Sequence, residues 1–304
     1  PWPTVSVVVP VHGGEDDLRV CLASLQRCAD LLHEVILVDD ASPEPQAIAH
    51  VADDFPFATL IRHEQNAGFA ATCNAGAQAA TGELLLLLNS DTAVPRDGLV
   101  RLVEALLARG PLCAAAGPFT NRSGHLQQIP VTYTNLGTMD LFAQDFAHQD
   151  ERDAPDLDVD MLVGFCLLVK ADALRSIGGL DTRFGRGLFE DNDLCYRLRR
   201  EGLRLTLAGR AFVHHEGSKT LARAVSDPRA LLALNQRLYL DKWREDLASG
   251  FASHLSGLPP AHPDGIHHPG DNIHHPGGTL PHPGAVAHRR ILFDPARKPE
   301  DRIA

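Results

Sequence analysis

The sequence is poor in the features that mark a membrane protein, a nucleic-acid binder or a disulfide scaffold. No apolar run approaches the roughly 18 residues that a membrane span needs. Positive charge is in deficit: 28 lysines and arginines face 39 aspartates and glutamates, a formal charge of −11. That balance argues against nucleic acid or an anionic bilayer as the main partner. It leaves a nucleotide open, because a bound divalent cation reconciles acidic side chains with phosphates. Six cysteines (Cys21, Cys28, Cys73, Cys113, Cys166, Cys195) are scattered without a C-x-x-C pair. They read as free thiols in a reducing compartment. No leader segment is expected from this start, since Pro1-Trp2-Pro3-Thr4 runs directly into a β-branched stretch. The expectation is a cytoplasmic protein, with peripheral contact at the inner face of the membrane left open. The abrupt start suggests a domain cut from a longer polypeptide.

What is present is a core-forming chain, 44% hydrophobic over 304 residues. Short apolar runs alternate with helical patterns through the first hundred residues. Val5-Ser6-Val7-Val8-Val9-Pro10, Glu34 to Val38, Ala58 to Ile61 and the five leucines Leu84 to Leu88 read as strands. Asp16 to Ala29, Gly68 to Ala80 and Leu99 to Leu107 read as helices. Strands that are apolar on both faces and joined by helices imply an α/β fold with a mostly parallel central sheet flanked by helices. The stretch 121–160 is weaker in pattern and reads as loop-rich. Met161 to Lys170 predicts a strand, and Ala171 to Ile177, Glu190 to Glu201 and Pro228 to Trp243 predict helices. Two short strands are expected at Arg204–Leu207 and Ala211–Val213.

After residue 256 the composition changes, so one domain is expected over 1–256 and a His/Pro/Gly-rich tail or linker over 257–304. His-Pro steps recur with a period of seven, and half of the sixteen histidines fall between His254 and His288. Proline and glycine forbid a coiled coil there. An extended tail is the simpler reading and transition-metal binding the alternative.

In parallel sheets ligands bind beyond the carboxyl ends of the strands, which directs attention to the polar residues at those ends. Asn89-Ser90-Asp91 ends the leucine strand, where it either makes a turn or holds Mg²⁺ or Mn²⁺ against a diphosphate. Asp39-Asp40 either caps a turn or accepts hydrogen bonds from a base or ribose. The segment Asn66 to Gly76 places a glycine at a helix start, where free N–H groups suit an anion. Gly185, Gly187 and Phe189 lead into Glu190, Asp191 and Asp193 at the start of a helix whose last turn is arginine-rich. The order of charges suits the helix dipole, while the acid cluster beside a glycine-rich loop suits a general base. Val213-His214-His215-Glu216 follows a short strand, and a histidine there is either a third protein ligand to a cation or a surface residue.

These segments, in this order, resemble the family 2 glycosyltransferases from about Val5 to Trp243. The branch most like it builds bacterial cell-surface polysaccharides and other glycans and includes rhamnosyltransferase-like members. The resemblance implies the GT-A fold, Rossmann-like around one continuous sheet, and a divalent cation, Mn²⁺ or Mg²⁺. It implies a nucleotide-sugar donor, UDP-linked as the first choice and dTDP-linked as the second. The acceptor would be a glycan, a lipid-linked sugar or a protein side chain. By resemblance, Pro10, Val11, Asp39, Asp40, Asn66, Gly68, Asn74, Asn89 and Ser90 would bind the donor. Asp91 and His214 would hold the metal, with His215 next in line. Gly164, Phe165 and Glu190 would line the sugar and acceptor pocket, and Asp191 would be the catalytic base of an inverting transfer. The chain departs from the family pattern where Asn89 replaces the first acid of D-x-D, where no glycine follows Asp39-Asp40, and in its His-Pro tail.

Two rivals remain on the sequence alone. A nucleotidyltransferase calls for a glycine- and basic-rich loop after the first strand, but Val11-His12-Gly13-Gly14-Glu15-Asp16 carries no lysine or arginine. An inactive GT-A-like module that reads glycans or nucleotides is the other, against which Asp91, Glu190, Asp191 and His214 are all present.

Overall fold

A computed structural model describes residues 1–248 apart from residue 124 and residues 218–224. The expected boundary at 257 and the His-Pro tail lie outside the described residues.

The chain begins with four β-α units: β1 (Val5–Val11), α1 (Glu15–Gln26), β2 (Glu34–Asp39), α2 (Pro45–Asp54), β3 (Ala58–Arg62), α3 (Phe69–Ala79), β4 (Leu84–Leu88), then β5 (Thr92–Ala93) and α4 (Arg96–Ala108). There follow β6 (Cys113–Phe119), α5 (Leu136–Ala147), β7 (Leu157–Val159), β8 (Cys166–Lys170), α6 (Ala171–Ser176), α7 (Glu190–Arg200), β9 (Arg204–Phe212), β10 (His214–His215) and α8 (Pro228–Lys242). Eight strands form one sheet in the order β3-β2-β1-β4-β8-β6-β9-β7. Four of its seven pairings are parallel: β1 with β2, β1 with β4, β2 with β3, and β6 with β9. β8 enters antiparallel between β4 and β6, and β7 closes the edge antiparallel to β9. The mixed α/β architecture with a mostly parallel sheet is the one expected.

The side chains of β1, β2 and β4 alternate between two separate cores, as a period of two demands. Val5, Val7, Val9, Val35, Leu37, Leu84, Leu86 and Leu88 pack under α1, α2 and α4. Val8, Ile36, Val38, Leu85 and Leu87 pack under α3, α6 and α7. Both faces are therefore dry, and each buried leucine contributes roughly 1.5–3 kcal/mol.

Three expectations need correction. The stretch read as loop-rich contains α5, capped by Asn135, whose side chain accepts from the Thr138 N–H. Met139, Phe142, Ala143 and Phe146 give α5 an apolar stripe that packs on Phe212. The two short strands expected after residue 203 are one strand, β9, whose ladder to β6 shifts register at Gly117/Phe119. The strand expected from Met161 starts only at Cys166, because the residues before it turn into the site described next. Among the described residues no helix is long and apolar enough to cross a membrane. All six cysteines are free and buried.

Candidate active site

At the ends of β1 and β2 the acidic residues are engaged by the protein itself. Asp39 is fully buried; its Oδ1 accepts from the Ser42 N–H at 2.9 Å and its Oδ2 pairs with the Arg62 guanidinium. Asp40 gathers the loop before α3. Its Oδ1 accepts from the Ala67 N–H at 2.7 Å and lies 2.9 Å from His63 Nδ1, while its Oδ2 accepts from the Gly68 N–H at 2.9 Å. Pro10 and Val11 are buried in β1, and the Val11 carbonyl accepts from the Asp40 N–H. Asn66 leans its amide toward His12 Nδ1 at 3.3 Å and the Asp40 carbonyl at 3.4 Å. Gly68 has φ +88°, and a Cβ there would lie 2.2 Å from the Gly185 carbonyl oxygen. Only glycine allows that close approach.

Asn74, expected in the donor pocket, has another task. Its Nδ2 donates to the Leu180 carbonyl and its Oδ1 accepts from the Leu180 N–H, both at 2.8 Å. Both ends of the amide are spent in tying α3 to the chain before the acid loop. The residues at this end that the sequence did not single out are Arg62 and His63; His12 belongs to the strand-end segment Pro10-Val11-His12, already a place to look. Arg62 ends β3 and His63 directly follows it, which was the available signal.

The second group forms where β4 ends. β10 pairs antiparallel with β5, setting His215 opposite Thr92 and bringing His215 Nε2 to 3.4 Å from Asp91 Oδ1. Asp91 and His215 are 2% and 6% exposed. The ring of His215 is fixed on all sides. Its Nδ1 lies 2.8 Å from the Arg122 carbonyl, an acceptor only, so Nδ1 donates there and Nε2 is the ring nitrogen turned toward Asp91. Phe165 stacks on the ring at 4.8 Å between centroids and 15° between planes. Asn121 brackets the His215 backbone, accepting its N–H at 2.8 Å and donating to its carbonyl at 3.0 Å.

His214, the histidine expected on the metal, points the other way. Successive residues of a strand face opposite sides, and His214 enters the aromatic cluster of α5. Tyr133 Oη lies 2.6 Å from its Nδ1, and its Nε2 is 3.2 Å from Glu216 Oε1. Phe165 is likewise buried behind His215, at 2% exposure, and backs that ring instead of lining an open pocket. Ser90 is buried; the Asn89 N–H donates to the Phe165 carbonyl at 2.8 Å, and the Asn89 Oδ1 is buried without a hydrogen-bond partner.

The third group is the acid pair at the start of α7. Asp191 Oδ2 accepts from the Gly164 N–H at 3.0 Å and its Oδ1 from the Asn192 N–H at 2.8 Å. The approach at Gly164 is close: a Cβ there would sit 3.3 Å from that of Asp191. Glu190 is buried, and its Oε2 has no hydrogen-bond partner. Burial, and then the neighbouring Asp191 charge, push the Glu190 carboxyl up to about 8. Burial also raises Asp191, with the two backbone N–H donors pulling the other way. Of two adjacent carboxyls that resist ionising together, the one that holds N–H donors is the anion, so Glu190 keeps the proton near neutral pH.

His125, absent from the sequence reading, also faces this pair. Its Nδ1 is buried and unpartnered, and burial pushes the imidazole down while the Asp191 charge draws it back up. Its loop is locked by buried Gln127, whose Nε2 donates to the Pro118 carbonyl at 2.8 Å and whose Oε1 accepts from the Val163 N–H at 2.7 Å.

The second and third groups meet in the dipeptide Gly164-Phe165: Gly164 holds Asp191, and Phe165 supports His215. Adjacent Cα atoms lie about 3.8 Å apart, so the imidazole–carboxylate pair and the acid pair are each supported by one of two neighbouring residues of a single segment. Among the described residues no three or more His, Cys, Asp or Glu side chains are grouped to hold a metal unaided.

The chain resembles known proteins in both sequence and fold. The model of "Glycosyl transferase family 2" matches residues 6–178, more than half of the chain. The pre-mycofactocin glycosyltransferase of Mycobacterium tuberculosis is 29% identical over 218 residues, covering 70% of this chain and 42% of that protein. The O-antigen biosynthesis protein RfbC of Myxococcus xanthus is 25% identical, covering 74% of this chain and 18% of its own. The chain thus spans less than half the length of these relatives. Among solved structures, GalNAc-T7 with UDP, GalNAc and Mn²⁺ superposes with a TM-score of 0.61 at 16% identity, over 83% of this chain and 51% of that one. The mannosyltransferase PcManGT of Pyrobaculum calidifontis, in complex with GDP-Man and Mn²⁺, gives 0.53 at 20% identity, over 83% and 76%. The fold is the GT-A fold, and the chain belongs to glycosyltransferase family 2.

Proposed function

We propose that the chain transfers a sugar from a UDP- or dTDP-linked donor to an acceptor hydroxyl, with inversion at the anomeric carbon, in the assembly of bacterial surface polysaccharide or a related glycan. The observation that carries this reading is the seating of two chemically different pairs, Asp91–His215 and Glu190–Asp191, on the single dipeptide Gly164-Phe165. Transfer needs leaving-group stabilisation and an activated nucleophile within one site, and these pairs have the composition for both.

The residues at the first pair fit a divalent cation of the Mn²⁺ or Mg²⁺ kind. With its Nδ1 proton committed to Arg122, His215 turns a buried, unpartnered Nε2 toward a carboxylate 3.4 Å away. An imidazole nitrogen and a carboxylate oxygen facing each other at that distance are ligand types that suit such a cation, and the solved GalNAc-T7 and PcManGT structures contain Mn²⁺. Asp91 and His215, in place of the expected Asp91 and His214, would hold the cation, and the donor diphosphate would complete its shell. When bound, the cation offsets the negative charge that builds on the departing nucleoside diphosphate.

The chain's own groups supply the rest. Asp191, held as a carboxylate by Gly164 and Asn192, takes the proton of the acceptor hydroxyl as that oxygen attacks the anomeric carbon opposite the leaving group. Glu190, neutral beside it, keeps the pair at one negative charge instead of two. Asp39, Asp40, Asn66 and Gly68 shape the walls for base and ribose, with Arg62 and His63 at the rim.

The test is thermal stability of the purified chain against UDP, dTDP and GDP with and without Mn²⁺. A ligand that binds the native state raises the melting temperature by mass action. One nucleotide is expected to shift it only with Mn²⁺ present. Asp91→Ala and His215→Ala abolish the shift, whereas His214→Ala retains it. A shift of equal size without metal, or one lost in His214→Ala and kept in His215→Ala, contradicts the cation assignment.

A further inference from the structure

Helix α7 starts in an unusual way. Its N-cap is Phe189, in a left-handed conformation with φ 73°, and no side chain caps the free N–H groups. The residues before it are equally bent: Gly185 has φ 61°, Gly187 φ 125° and Leu188 φ 73°. Two consecutive non-glycine residues with positive φ do not hold that shape unaided. The acid pair follows immediately, so the direction in which Glu190 and Asp191 leave the backbone is set by this loop.

The loop is held from outside by α8, through apolar packing and through the amide of Asn235. Asn235 is 1% exposed, and its Nδ2 donates to the carbonyls of Phe184 at 2.8 Å, Gly187 at 2.7 Å and Leu188 at 3.0 Å. Two N–H bonds thus serve three carbonyls that point inward from the bent loop. The far end of α8 is anchored separately: Lys242 Nζ donates to Asp193 Oδ1 at 2.5 Å and to Asp181 Oδ2 at 2.7 Å, and Trp243 Nε1 donates to Asp193 at 3.0 Å. Phe184, Phe189, Tyr196, Tyr239 and Trp243 pack between them. α8 therefore stays docked when the Asn235 amide is removed, and what is lost is the grip on the loop.

We infer that Asn235 is a positioning residue for the acid pair, its amide clamping the Phe184–Leu188 carbonyls so that Asp191 meets the Gly164 and Asn192 N–H groups in register. The inference deepens the reading of Asp191 as base and rests on it. Asn235 touches no reacting atom; it acts through the loop.

The test uses the full chain with Mn²⁺, measuring sugar release from a panel of UDP-, dTDP- and GDP-sugars with water as acceptor. Binding of the matching nucleoside diphosphate is measured by calorimetry, and amide hydrogen exchange is followed across residues 184–193. Asn235→Ala is expected to lower kcat by about 10- to 100-fold, the scale of a misplacement near 1 Å, with the nucleotide Kd unchanged within about twofold. Exchange in the loop accelerates, and the acid limb of the pH–rate profile moves to higher pH as Asp191 loses its donors. Asn235→Ser, which keeps one donor, gives an intermediate kcat and serves also if the alanine variant does not fold. A folded variant with faster loop exchange but wild-type kcat overturns the clamp, as does a kcat loss matched by an equal loss of nucleotide affinity. Asp191→Asn, run alongside, separates the two ideas. If it is inactive while Asn235→Ala turns over normally, the clamp falls alone. If Asp191→Asn itself turns over normally, the base reading falls and the clamp falls with it.

Discussion

The carboxylates at the two ends of the site are treated in opposite ways by the fold. At the ends of β1 and β2, Asp40 takes up two backbone N–H groups and the His63 ring, and Asp39 takes Ser42 and Arg62. At the start of α7, Glu190 is buried with an oxygen that has no hydrogen-bond partner, and burial beside Asp191 favours its protonated form. The first arrangement spends charge on fastening loops. The second holds charge in an unfavourable state, which a fold tolerates where chemistry needs a group able to give or take a proton. An acid at a strand end is thus no guide to role until its hydrogen bonds are counted.

The largest effect that would sharpen this contrast comes from Asp191→Asn. Turnover should fall about 10²–10⁴-fold, the usual worth of a general base, with Mn²⁺-dependent nucleotide binding intact by calorimetry. Normal turnover would show that the pair at α7 is no more than a fastening. Next is Asp40→Ala, which strips the acceptor from the buried Gly68 N–H and from that of Ala67. Denaturant titration should show a loss of about 1–3 kcal/mol, nucleotide affinity should fall, and kcat at saturating donor should change little. An unchanged midpoint would mean that Asp40 is not the fastening described.

The smallest effect concerns Glu190 and pH. Its folded-state proton affinity lies above the ordinary carboxylate value of 4.5, at about 8. Between those values the native state holds a proton that the unfolded chain releases, so this group's contribution to stability is full below about pH 4.5 and is lost as pH rises toward 8. Glu190→Gln should remove that part of the decline, gaining stability over the parent at pH 9 and almost none at pH 4. Equal midpoint shifts at both values would argue that Glu190 ionises freely.

The four β-α units were legible because their strands are apolar on both faces, as Leu84 to Leu88 most plainly are. β6 was not: Cys113-Ala114-Ala115-Ala116-Gly117-Pro118-Phe119 has little strand propensity, and its conformation comes from burial between β8 and β9. α5 could have been found, since Met139, Phe142, Ala143 and Phe146 stand at helical spacing behind a capping Asn135.

At the site, the sequence named the strand-end and acid-loop segments but not which way their side chains face. His214 and His215 differ only by the alternation of a two-residue strand, and the pairing of β10 with β5 decides between them. Asn74 looked like a ligand group, yet its partner is a backbone 106 residues away. His125, Gln127 and Asn121 carry no local signature, because their roles arise from a loop folded against Val163 and His215. Asn235 was equally invisible: nothing in its helix indicates three carbonyls across the interface.

The central claim is a single displacement assisted by Asp191, and the most direct measurement is the stereochemistry of the first-formed product. Proton NMR during Mn²⁺-dependent turnover of an α-linked nucleotide sugar, read before the free sugar mutarotates, reports it. The account predicts the β-anomer first. The α-anomer first would contradict it, because retention requires a second displacement or front-side attack and leaves Asp191 without the role assigned to it.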